Sequence, residues 1–158
     1  MLVSTPEEAK AFVKRWMDDR KVFLKDSSDD TFFFAYDGAC GNGVNFSAQQ
    51  PKDVVRAVGI TAKMLFPPQH LKILSDLDPT KRNEFFGNFR RRLLLVSPSF
   101  QLGPNLEAPE WIFFLKEISY DELTEGRLIE AVEQINRAVI WAATTLFEQF
   151  GVGELRKE

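Results

Sequence analysis

The stretch from Thr124 to Phe150, TEGRLIEAVEQINRAVIWAATTLFEQF, constrains the fold most. It holds no proline, and Leu128, Val132, Ile135, Val139, Ala142 and Leu146 recur at alternating steps of four and three. That spacing predicts one apolar face of an α-helix. At about 1.5 Å per residue the helix is roughly 40 Å long. Ile129, Ile140, Ala143, Phe147 and Phe150 widen the stripe on both sides. More than one flank therefore needs cover, with a sheet and a second subunit as the candidates. Val139 lies mid-stripe, where a carboxylate is expected to prevent folding. Gly151 follows as a C′ residue, where a left-handed conformation ends a helix cheaply.

The remaining elements follow from period and punctuation. Thr5 and Pro6 suit the N-cap and N1 positions of a helix over 6–19, with Ala9, Phe12, Val13, Trp16 and Met17 inward. Strands are expected at 21–26, at 31–36 and at 44–49, the last alternating Val44, Phe46 and Ala48 with Asn45, Ser47 and Gln49. Pro51 interrupts, and Val54, Val58, Ile60, Ala62 and Met64 share one face of a fourth strand. The short connections predict an antiparallel meander. After Phe66-Pro67-Pro68 come a short helix with Leu71, Leu74 and Leu77 inward and a second helix from Pro79 to about Leu95. Phe100–Leu102 and Trp111–Ser119 read as the fifth and sixth strands. Ser119 with Glu122 has the spacing of a capping box. The order α-ββββ-α-α-ββ-α separates runs of strands from runs of helices, which predicts an α+β fold with one antiparallel sheet. No repeat or linker divides it, so residues 1–158 read as a single domain.

Composition narrows the function classes. The chain has 158 residues and a net charge of −3, so its surface does not attract phosphate backbones or anionic lipid in general. Its N-terminus lacks the basic and apolar regions of a signal peptide, and no apolar run reaches transmembrane length. A single cysteine excludes an intrachain disulfide and fits a reducing cytoplasm. Phe, at 15 copies, is frequent for a small domain and predicts a thick aromatic core or an apolar surface that meets a partner.

This element order is similar to that of the type III secretion chaperones and their non-secretory relatives in bacteria and archaea. The segment Val44-Asn45-Phe46-Ser47-Ala48-Gln49-Gln50-Pro51-Lys52, followed by a valine-rich strand, resembles an uncharacterised archaeal family of that architecture. The resemblance covers nearly the whole chain. It implies a small cytoplasmic homodimer that binds protein segments, and it carries over no catalytic residue. The long terminal helix departs from the compact secretion chaperones.

Few residues suggest chemistry. Cys40 sits among glycines in the loop from Asp37 to Gly43, and His70 is the only histidine. Together they would form a nucleophile and base. Otherwise the glycines simply supply a turn. No cofactor motif is present, and no set of ligands has metal spacing. Asp26, Asp29 and Asp30 read as a solvated turn. Arg90, Arg91 and Arg92, with Lys81 and Arg82, are the only basic cluster. They point in different directions around their helix and complement its negative end, so no nucleic-acid site is expected. Phe32–Phe34 and Trp111–Leu115 place apolar side chains on both faces of their strands. Phe32, Phe34, Trp111, Phe113 and Trp141 are accordingly the expected contacts for a second copy or a protein segment.

Overall fold

A computed structural model describes residues 2–151. Its elements are α1 (Pro6–Asp19), β1 (Phe23–Asp26), β2 (Phe32–Ala39), β3 (Asn45–Pro51), β4 (Ala57–Leu65), α2 (Pro68–Asp76), α3 (Pro79–Val96), β5 (Ser99–Gly103), β6 (Trp111–Ser119) and α4 (Glu125–Phe150). The strands form one antiparallel sheet in the order β1-β2-β3-β4-β6-β5. This is the α+β class and element order read from the sequence. The chain divides into two compact units, Met1–Ala62 with Leu115–Asn136 and Lys63–Phe114 with Arg137–Glu158, and β4, β6 and α4 contribute residues to each.

In the first unit, Thr5 caps α1 by accepting the Glu8 N–H, and Glu8 returns the bond as a capping box. Ala9, Val13, Trp16 and Met17 are buried. Phe12 is half-buried at the edge of that stripe. Gly38 of β2 lets α1 approach. A Cβ there would lie 2.8 Å from Met17 Cε, 2.7 Å from Phe46 Cζ and 2.9 Å from the Val22 carbonyl oxygen. β2 runs on to Ala39, so the glycine-rich loop shrinks to a hairpin turn. Cys40 N–H bonds the Val44 carbonyl at 2.8 Å, and Gly43 has φ 85°. The Asn42 amide donates to Asn136 Oδ1 of α4 at 3.0 Å, which docks the turn on the helix.

The pairing register separates the two faces of this part of the sheet. Tyr36, Ala48 and Ile60 form one row, and all are buried. Ala35-Gln49-Gly59 and Asp37-Ser47-Thr61 form rows on the opposite face. That face is small and polar along Ala35–Asp37, while at the start of β2 Phe34 is buried and Phe33 is exposed. Its members cover one another: Ala35 and Thr61 are each 3% exposed, and Leu115 leans over Gly59. A bulge between Phe32 and Phe34 leaves Phe33 partly exposed.

Val54 belongs to the β3–β4 turn and not to β4, since its N–H bonds the Pro51 carbonyl at 3.1 Å. The turn closes at Arg56, which is left-handed at φ 56°. Its carbonyl accepts the Tyr120 N–H at 2.9 Å. The Tyr120 hydroxyl donates to Gln50 Oε1 at 2.6 Å, and the Gln50 amide donates to the Val54 carbonyl at 3.2 Å. Both side chains are nearly inaccessible, at 2% and 1% exposed. Tyr120–Glu122 is a 3₁₀ turn, and Ser119 makes no side-chain cap. The expected Ser119/Glu122 box is thus replaced by Thr124, whose hydroxyl accepts the Arg127 N–H at 3.2 Å and caps α4. In the first half of α4, Leu128, Ala131 and Ile135 are buried.

In the second unit, Phe66, Phe86 and Phe89 are buried together. Phe66 stacks on Phe86 at 6.3 Å and meets Phe89 edge-on at 6.5 Å. Phe85 meets Phe150 at 5.0 Å, and Phe89 meets Trp141 at 5.5 Å. β5 and β6 are held as a hairpin by the Glu110 N–H on the Gly103 carbonyl at 2.6 Å. The second half of α4 buries Ala138, Ala142 and Leu146. Gly151 is left-handed at φ 82° and donates to the Phe147 carbonyl at 2.7 Å, as expected for its position after the helix.

The apolar face of α4 is rotated from the predicted one. Ala131 and Ala138 occupy the core line, while Val132 and Val139 are half-buried beside it. At these two positions the smaller residue takes the core line, because alanine permits the closest approach of a helix backbone. Ile135→Asp should therefore abolish cooperative thermal unfolding, because an unpaired buried carboxylate costs several kcal/mol against a total of about 5–15 kcal/mol. Val139→Asp should cost clearly less, which chemical denaturation of the two variants compares directly. Gln50→Ala leaves the Tyr120 hydroxyl buried without an acceptor and should lower stability by about 1–3 kcal/mol in the same measurement.

Candidate functional site

Cys40 begins the β2–β3 turn and is half-buried. Burial raises its thiol pKa above the ordinary value. A desolvated thiol with no cation beside it forms less thiolate at neutral pH, the reverse of nucleophile activation. His70 lies on α2 and is 0% exposed. Its Nε2–H donates to the Gly151 carbonyl at 2.7 Å. Phe147 and Phe150 flank the ring at 5.3 and 5.7 Å. The imidazole is thus a core group tying α2 to the end of α4. Its Nδ1 is buried with no hydrogen-bond partner among the described residues.

Of the aromatic set, Phe34 is 0% exposed and packs on Tyr36 at 5.3 Å, so it belongs to the core and offers no contact surface. Phe32, Trp111, Phe113 and Trp141 are half-buried. Trp111 lies flat across Gly103, where any side chain would collide with its ring. Lys63 Nζ sits 4.7 Å from the ring centroid. This indole is covered by its strand neighbours, which makes glycine necessary at 103. The more exposed apolar groups lie elsewhere. Leu94, Leu95 and Val96 in the last turn of α3 are 70%, 85% and 42% exposed. Ile140 and Phe147, seven apart on α4, are 43% and 39% exposed. The sequence signal for the α3 end was present in the apolar run Leu93–Val96, of which only Leu93 turns inward.

Several of the clustered charges are engaged locally. Arg91 donates to the Gly87 carbonyl at 3.2 Å and to Asn88 Oδ1 at 3.0 Å, and Arg90 is half-buried. Asp26 accepts the Ser28 N–H at 2.9 Å, and Asp29 accepts the Thr31 N–H and hydroxyl at 2.7 and 2.6 Å. The side-chain hydrogen bonds from Ser28 and Thr31 are the largest influences lowering these two carboxyl pKa values. No group of three or more His, Cys, Asp or Glu side chains is placed to hold a metal among the described residues.

Residues 9–146 match the family described as Uncharacterized conserved protein (DUF2299). The chain belongs to the DUF2299 family. Its fold is similar to the crystal structure of an uncharacterized protein from Methanothermobacter thermautotrophicus, with a TM-score of 0.83 and 23% identity over 90% of this chain and 99% of the other. It is also similar to YbjN from E. coli, named as a candidate transcription regulator, with a TM-score of 0.53 and 15% identity over 92% of this chain and 96% of that one. At these identities the likeness is one of fold. No curated protein matches the sequence.

In this DUF2299 chain the Cys40 thiol takes part in no hydrogen bond or ring contact among the described residues, while the turn depends on backbone bonds and Asn42. Cys40→Ser should leave the thermal midpoint within a few degrees, the shift expected from about 1 kcal/mol or less. Native-state alkylation of the wild type should be slower than that of a free thiol at neutral pH.

Proposed function

We propose that this protein is a non-catalytic, cofactor-free protein-binding module of the cytoplasm, chaperone-like in character, that works as a homodimer. The observation that carries this reading is the last turn of α3, where Leu94, Leu95 and Val96 face solvent consecutively. Fully burying a leucine is worth about 1.5–3 kcal/mol, so leaving two this exposed forgoes several kcal/mol that a partner surface would recover. Ile140 and Phe147 offer a second apolar strip, on a flank of α4. The local engagement of Arg91 and the net charge of −3 favour protein over nucleic acid as the partner. A Cys40–His70 enzyme is disfavoured by the deactivating burial of the thiol and the full burial of the imidazole. Among the described residues no helix is long and apolar enough to cross a membrane.

Light scattering at micromolar concentration should give a dimer mass. Leu94→Lys with Leu95→Lys should convert it to a monomer that still unfolds cooperatively, its midpoint lowered only by what association contributes, because neither side chain supports the core. A wild type that is monomeric throughout overturns the homodimer. A dimer that ignores the double substitution moves the interface away from α3.

A further inference from the structure

The second unit contains a cleft of about 370 Å³ formed by α2, the start of α3 and the segment leading into β6. Its walls are mostly apolar: Leu74 and Phe86 are buried core residues, and Leu71 and Pro109 continue the surface. The floor is held in place by backbone bonds on both sides of Glu110. Its N–H reaches the Gly103 carbonyl at 2.6 Å, and its carbonyl accepts the Phe66 N–H at 2.9 Å.

Arg82, one turn into α3, also lines this cleft. Its Nε is buried with no hydrogen-bond partner among the described residues. Burial of Nε fixes the stem of the side chain, and the two terminal nitrogens are the part left to face a ligand. Lys72 is the second cation of the lining and Glu110 the only carboxylate. Ser75 commits its hydroxyl proton to the Lys72 carbonyl at 2.8 Å. The donors left for a ligand are therefore cationic, while the space beyond them is apolar.

We propose that this cleft binds a small monocarboxylate with an apolar tail. The carboxylate meets the end-on fork of the two terminal nitrogens of Arg82, with Lys72 adding positive charge at the rim. The tail lies against Leu71, Leu74 and Phe86. A volume of this size is at the lower end of small-molecule sites, about 300–1,000 Å³, which suits one short chain or ring. The site is independent of the homodimer surface at the end of α3.

Octanoate, titrated into the full chain and followed by amide NMR shifts, tests the proposal. Saturable shifts are expected at α2 and at the first half of α3. Octanol, which has the tail without the charge, and inorganic phosphate, which has charge without the tail, should each fail to saturate. Arg82→Gln should weaken octanoate by about tenfold or more, with the thermal midpoint showing that the variant is folded. Arg82→Lys, which keeps the charge but loses the fork, should weaken it as well and serves if the glutamine variant does not fold. Absence of octanoate shifts at millimolar concentration overturns the site. Equal binding of octanol, or undiminished binding by the folded Arg82 variants, overturns the assignment of the carboxylate to Arg82.

Discussion

Burial of one face of α4 is the constraint on which both units depend. Leu128, Ala131 and Ile135 supply it to the first unit, and Ala138, Ala142 and Leu146 to the second. The helix contains Gly126 and several β-branched residues, which cost helical propensity when no packing offsets them. Isolated helices are marginal in water, and most helical stability in proteins comes from packing an amphipathic face. The cores and α4 are thus mutually required. Three alanines on the buried line let the backbone itself approach its neighbours, so larger side chains there would strain the packing.

Two buried polar contacts join segments far apart in sequence. Tyr120 with Gln50 joins the 3₁₀ turn to the end of β3. His70 with Gly151 joins α2 to the end of α4. Each adds little net energy when made, about 0.5–1.5 kcal/mol, but leaves a larger penalty when broken. Such contacts select one arrangement of turns over others of similar apolar burial. Arg56 adds to this at the β3–β4 turn, where a left-handed non-glycine residue is held by the carbonyl it presents to Tyr120.

The order and type of the elements were legible because period and punctuation are local. Thr5-Pro6, Asp78-Pro79 and Gly151 mark helix ends whose signals lie within a few residues. The errors arose where tertiary contacts outweighed local signals. β2 continues through Asp37–Ala39 because β3 pairs with it there, despite the glycine. Ala131 and Ala138 enter the core because small residues fit closely, a property that hydrophobic periodicity does not weigh. Gln50 lies in the segment that resembles the archaeal family, but its burial against Tyr120 depends on a contact 70 residues away. Cys40 and His70 were visible as residue types only; the Gly151 carbonyl and the packed rings that fix His70 could not be read from spacing. Arg82 shares a basic run of sequence with Arg90–Arg92, and only the fold separates it from the arginines of the helix end.

Each unit is assembled from separated stretches of chain, with α4 serving as the final contribution to both. During synthesis, the meander of β1 to β4 emerges early, yet its unit lacks Leu115–Asn136 until the last third of the chain is made. The buried faces of Val58, Ile60 and Phe46 consequently wait in contact with water or with whatever shields nascent chains. Ribosomal stalling or truncation before α4 would release a polypeptide with paired strands but no finished core. For this architecture, completeness of translation is itself a condition of a closed core.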